Sequence, residues 1–158
     1  MELTVNDRSE VINSFPIWST PGGQGTAELV DVGLGSEPEL LAQDLRGKAV
    51  VVTGRALLNV FATYPDSYHR AAELGAVAMF VSSDAPDNLI RPTSSSRNEQ
   101  ENNPIPAFQL GAHDLARLRQ AAANGGTASW NIEAYHPQGE SRDVIAELPG
   151  SGELPGTI

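Results

Sequence analysis

Three histidines, His69, His113 and His136, are the first side chains to weigh for chemistry, since imidazole serves both as a metal ligand and as an acid or base near neutral pH. They are widely spaced, fall on two predicted helices and a linker, and form neither an HExxH pair nor a set with cysteine, of which the chain has none. They read as surface residues, and no metal site is predicted. Ser151 stands in Pro149-Gly150-Ser151-Gly152, which is not a Gly-x-Ser-x-Gly elbow and follows no strand-to-helix turn, so it reads as linker rather than nucleophile. The carboxylate pairs Glu37/Glu39, Asp84/Asp87 and Glu99/Glu101 lie in polar segments that offer no burial to tune them for acid–base work. Gly33-Leu34-Gly35 lacks the third glycine and the helix start of a dinucleotide fingerprint. Trp18 and Trp130 read as core or edge residues. No catalytic residue is assigned.

The elements that would position any site belong to one domain. A chain of 158 residues is long enough to bury a core without disulfides. Twenty acidic residues against ten basic ones give a net charge of −10, which argues against a nucleic-acid partner or an anionic membrane surface. No apolar run is long enough for a membrane span, and Met1-Glu2-Leu3-Thr4 is not the start of a signal peptide.

The organising stretch is Arg46 to Ser83. Its apolar run Ala49-Val50-Val51-Val52 predicts a buried strand, Asp66 to Gly75 predicts a helix with Tyr68, Ala71 and Ala72 inward, and Ala76 to Val81 predicts a second buried strand parallel to the first. Before this unit, residues 1–12 are expected to form an arm or a short strand. Ser14 to Trp18, interrupted by Pro16, predicts an edge strand that forms a hairpin with Thr26 to Val32 across the turn at Pro21-Gly22-Gly23. Ser36 and Glu39 make a capping box for a short helix over residues 36–44. After the unit, Asp84 to Pro104 is a long polar loop expected to be mobile and to add little to a core. Ile105 to Leu110 predicts a strand, Gly111 to Gly125 a helix with Leu115, Leu118 and Ala121 inward, and Thr127 to Tyr135 a closing strand with Trp130 inward. Residues 136–141 read as a linker, Asp143 to Leu148 as one more strand-like run, and the remainder as a tail with no core to join. The prediction is a β-rich α/β fold of about seven strands with two or three flanking helices. Regular alternation of strand and helix, as in a flavodoxin-like or receiver-like enzyme, is not the pattern.

The order of GKAVVVTGR, a helix ending AAELGAVAMFVSSD, and IPAFQLGAHDLARLRQAAANGG resembles the protease-associated domain over residues 14–135. That resemblance implies small barrel-like β layers flanked by helices, preceded here by an N-terminal arm (1–13). Ser141 to Ser151 resembles the segment that, in co-catalytic zinc aminopeptidases, leads from this inserted domain back into the peptidase, so residues 136–158 are expected to be an exit linker. The chain departs from the family at Ala56 to Phe61, where relatives often carry a cysteine and a phenylalanine-rich stretch.

The resemblance implies a non-catalytic lid or substrate-selecting domain of a secreted or cell-envelope zinc aminopeptidase. Zinc is expected in the catalytic domain and no cofactor in this segment. The implied partners are the peptidase domain and a peptide or protein substrate. Relatives of the glutamate-carboxypeptidase type carry an arginine at the end of the central strand, pointing toward substrate; Thr53 occupies that position here, with Arg55 two residues on and on the same face of an extended strand. Arg91 and Arg97, in the long loop, are the other candidates to meet peptide carboxylates. The alternative is a stand-alone protein-interaction or sorting module, a role the family also serves.

Overall fold

The computed structural model describes residues 1–5, 8–17, 20–53, 60–82, 86–90 and 103–134, with 140, 143 and 145. The strands are β1 (Glu2–Val5), β2 (Arg8–Val11), β3 (Phe15–Pro16), β4 (Gly23–Asp31), β5 (Ala49–Thr53), β6 (Ala78–Ser82), β7 (Ala107–Leu110) and β8 (Thr127–Ile132). The helices are α1 (Glu37–Leu41), α2 (Val60–Glu73) and α3 (Ala112–Ala123). All strands join one mixed sheet, in the order β2-β1-β8-β4-β5-β6-β7-β3, which curls into a half-barrel.

At its centre β4, β5, β6 and β7 run parallel. The β-branched run of β5 suits this place because its residues 49–52 are buried on both faces, as a strand with helices above and below it must be. Alternate residues feed two cores. Ala49, Val51, Ala78, Phe80, Phe108 and Leu110 meet Leu115, Leu118 and Ala121 of α3 on one face. Val50, Val52, Met79, Val81 and Ala107 meet Leu40 of α1 and Tyr68 and Ala71 of α2 on the other. Toward β8 only the α3 face is filled, so Ala27, Leu29, Ala128 and Trp130 turn inward while Glu28 and Asn131 are exposed. Inward-facing Trp130 meets Phe80 edge-on, with ring centroids 6.2 Å apart.

The helix ends follow local rules. The Ser36 backbone N–H donates to the Glu39 carboxylate at 2.9 Å, closing the capping box at the start of α1. Helices α2 and α3 both close with paired backbone bonds at a left-handed glycine: Ala76 and Gly75 donate to Ala71 and Ala72, and Gly126 and Gly125 donate to Ala121 and Ala122. Helix α2 begins at Val60, six residues before the expected start at Asp66. Pro65 lies inside it rather than ahead of it, which removes one helical donor without ending the helix.

Pairing departs from expectation at the amino-terminal end. Pro16 does place β3 on an edge, yet β3 pairs with β7, whereas β4 pairs with β5 and β8; the expected hairpin between them does not form. Residues 1–12 supply a hairpin of their own, β1 with β2, and β1 extends the sheet beyond β8. Asp143 and Ile145 have no regular structure, and the rest of the expected strand at 143–148 lies outside the described residues. No helix among the described residues is long and apolar enough to cross a membrane.

One side chain ties α2 to the strand layer across the sheet edge. The buried Tyr68 hydroxyl donates to the Ile105 carbonyl at 2.5 Å and accepts the Ile105 N–H at 3.2 Å. Burial pushes its pKa up to about 12, partly offset by the bond to Ile105. A phenol held neutral above its usual pKa contributes stability that is fully present below about pH 10 and lost as pH rises through about 12, because the unfolded chain ionises first. Tyr68→Phe is expected to cost about 1–2 kcal/mol at pH 7. In urea titrations across the alkaline range, the difference between the two proteins should shrink above pH 10.

Candidate functional site

The carboxyl ends of parallel strands are where open α/β sheets present loops and bind ligands. Here Thr53 at the end of β5 lies beside Ser82 at the end of β6, and Ser82 beside Leu110 of β7. Leaving β5 after Thr53, the chain is next described at Val60; leaving β6 after Ser82, it is described again at 86–90 and from Asn103. The segments that carry Arg55, Arg91 and Arg97 therefore depart from neighbouring strands at one edge. The three arginines themselves lie outside the described residues.

The same edge receives the turn after β4. Gly33 and Gly35 take left-handed conformations there, and the Gly33 carbonyl accepts the Thr53 N–H at 2.7 Å. A side chain at Gly35 would press on Val52 and Ser67, whose hydroxyl donates to the Gly35 carbonyl at 2.7 Å. Gly35 thus packs the turn closely against β5 and α2. Two buried oxygens near the edge, Thr53 Oγ1 and Gln109 Oε1, have no hydrogen-bond partner among the described residues. Strand alternation puts Thr53 on the α3 face and Gln109 on the α2 face, so they do not form one site.

Helix α3 starts at this edge in an unusual way. Its N-cap is Gly111, which has no side chain to accept the first helical N–H groups. Asn88, from the loop after β6, does so instead: its Oδ1 accepts the His113 and Asp114 N–H groups at 2.9 and 3.2 Å, while its Nδ2 donates to Asp114 Oδ2 at 2.8 Å. Asp114 also accepts from Arg117 at 3.0 Å, and Arg117 bonds Glu10 on β2. Asp87 and Asn88 both sit at φ near +57°, a left-handed conformation that costs a non-glycine residue about 1–2 kcal/mol. The loop is therefore not uniformly detached from the core, contrary to expectation. Residues 86–90 are fastened to α3, and 91–102 lie outside the described residues.

The other candidates are placed as follows. His69 packs edge-on to Tyr68, with centroids 5.2 Å apart, and His113 is exposed on α3; His136 and Ser151 lie outside the described residues. Glu37 accepts Arg70 at 3.0 Å, and Glu39 serves the capping box. Hydrogen bonds to Glu37 and Glu73 raise the Arg70 pKa, and the bond to Asp114 leads those that raise Arg117. Arg119 pairs with Asp31, Lys48 with Glu28 and Arg46 with Asp44. Among the described arginines and lysines only Arg8 has no such pair. No three His, Asp or Glu side chains among the described residues come together as a metal site.

Solved structures that share this architecture include peptidases. An aminopeptidase from Aneurinibacillus sp. strain AM-1 superimposes with a TM-score of 0.63 and 21% identity, covering 82% of this chain and 29% of its own. A zinc aminopeptidase from Bacillus subtilis gives 0.63 and 21%, covering 81% and 29%. The likeness shows the fold. A subtilisin-like protease, Apa1 from the Antarctic psychrotroph Pseudoalteromonas sp. AS-11, shares it at a TM-score of 0.54 and 15% identity, over 82% of this chain and 32% of the protease. This chain thus spans about three tenths of the length of the structures it matches. Neither a protein-family profile nor a curated protein sequence matches it.

Proposed function

We propose that the chain is a protease-associated accessory domain of a zinc aminopeptidase, and that its carboxyl-end sheet edge lies over the peptidase cleft and selects peptide substrates. One observation carries this reading: the same architecture makes up about three tenths of zinc aminopeptidases and of a subtilisin-like protease. A subtilisin-like enzyme works through a serine, histidine and aspartate, and a zinc peptidase through a metal-activated water. A portion common to both has a role other than either chemistry. On this reading Arg55, Arg91 and Arg97 meet carboxylates of the peptide or of the catalytic domain. The described residues do not fit a zinc ion, so no reaction step is assigned to them. The protein would act outside the cytoplasm.

The purified chain, incubated with chromogenic aminoacyl substrates and Zn²⁺, is expected to give no turnover. Reproducible hydrolysis abolished by a chelator would contradict the proposal.

A second reading, an independent protein-interaction module, is favoured by β2. This strand ends the sheet with all four residues exposed and, among the described residues, no strand on its outer edge, where an extended peptide could add. Peptides that bind the isolated chain and compete at β2 would favour it.

A further inference from the structure

We propose that β2 is a self-association edge: two copies of the chain pair their β2 strands antiparallel about a two-fold axis at Ser9, joining two sheets into one through reciprocal ion pairs between Arg8 and Glu10. The inference goes beyond both functional readings and depends on neither. In an antiparallel pair, alternate residues turn their backbone groups toward the neighbouring strand and away from it. The Ile12 N–H donates to the Met1 carbonyl at 2.9 Å, and the register of β1 on β2 runs on from that pair through Leu3 with Glu10 to Val5 with Arg8. The amide and carbonyl groups of Arg8 and Glu10 are thereby engaged with β1, and those of Ser9 and Val11 point outward. The Thr4 to Ser9 hydroxyl contact at 2.8 Å agrees, since side chains lie closest across the pairs that exchange no backbone bonds.

A second copy meets these outward groups with Ser9 opposite Ser9, with Ser9 opposite Val11, or with Val11 opposite Val11. The second arrangement sets Glu10 directly against Glu10, a like-charge pair that destabilises a sheet. The third pairs Val11 alone, because β2 ends there. The first sets Arg8 directly against Glu10 of the second copy, and symmetry repeats the contact. Charge complementarity thus selects both the occupant and the register. Arg8 is exposed and has no ion pair among the described residues, whereas Glu10 accepts Arg117 through Oε2. A carboxylate accepts at both oxygens, so Glu10 links Arg117 to Arg8 of the second copy.

The edge lacks the features that keep strands apart, among them proline and charges that repel an incoming strand. At the other end of the sheet β3 is two residues long and carries Pro16, which has no N–H to offer. Strand β2 has no proline, and its two charges are opposite in sign and two residues apart, so it complements its own reverse. The net charge of −10 on each copy opposes association. Charges farther apart than the Debye length, about 8 Å at physiological salt, are largely screened, whereas Arg8 and Glu10 are in direct contact in the pair.

Sedimentation velocity on the 158-residue chain at physiological salt, from about 10 µM to about 1 mM, should show a reversible monomer–dimer equilibrium, as expected for a small interface. Arg8→Glu and Glu10→Lys should each weaken it at least about tenfold, since each sets like charges opposite one another at both symmetry-related positions. An equimolar mixture of the two variants should recover the association, because in the mixed dimer every facing pair is again opposite in sign. That recovery also shows both variants to be folded, and separates the facing pair from the contact of Glu10 with Arg117. Ser9→Pro, which removes an outward N–H and none of those bound to β1, should abolish the dimer. A chain that is monomeric at every concentration, whether or not an added extended peptide occupies β2, would overturn the proposal. So would a dimer that these variants leave unchanged, or a mixture that stays monomeric.

Discussion

Phe80→Ala is expected to lower the free energy of unfolding by about 3–5 kcal/mol, the largest effect of any single substitution considered. Phe80 is fully buried in the central strand β6, stacks on Phe108 with centroids 5.2 Å apart, and meets Trp130 edge-on. Truncation removes its apolar area and leaves a cavity lined by two other aromatic rings, neither of which can collapse into it without breaking its own packing. The cavity would lie between the parallel centre of the sheet and its antiparallel half. Chemical denaturation should show the midpoint falling with little change in slope. A loss below about 1 kcal/mol would mean that this face of the sheet is not packed as described.

Excision of the long loop should have consequences of different size depending on where it is cut. Replacing residues 91–102 by a Gly-Ser linker is expected to change stability by less than about 1 kcal/mol, because loop closure depends only weakly on length. Replacing 84–104 as a whole should cost about 1–2 kcal/mol more, since it deletes the Asn88 cap of α3. Comparing the two excisions by urea titration checks the difference. Equal losses would show that residues 86–90 contribute nothing.

Much of the centre was legible because local and global signals agree there. Ala49 to Val52 and Ala78 to Val81 are short, apolar and partly β-branched, and both faces of their strands are covered. Ser36 with Glu39, Gly75 and Gly125 are capping signals that act within a few residues, so sequence spacing alone places them. Strand partnership is a different matter. The turn residues Pro21-Gly22-Gly23 promise a hairpin, but whether β3 returns on β4 or crosses to β7 is decided by residues far along the chain, such as Ala107, whose backbone carbonyl accepts the Ile17 N–H. The hairpin of β1 and β2 carries little apolar period to read; its rungs include a Thr4 to Ser9 hydroxyl pair.

The anchor at Asn88 was missed because the segment looks like featureless polar loop. Two signals pointed to it. Gly111 opens a strong helix with no side chain to cap it, and Asp87-Asn88 is the kind of pair that tolerates left-handed backbone. The candidate arginines were read from a resemblance, and the described residues place only the strand ends from which their segments leave.

We propose that this domain shapes which peptides reach the catalytic site of a zinc aminopeptidase. The measurement that bears on it most directly is kcat and KM, determined separately, for the intact peptidase with and without residues 91–102, across peptides of increasing length. The account predicts a KM that rises with peptide length only when the segment is missing, at constant kcat, since binding contacts would be lost without change to the reacting groups. Identical KM values at every length would contradict it.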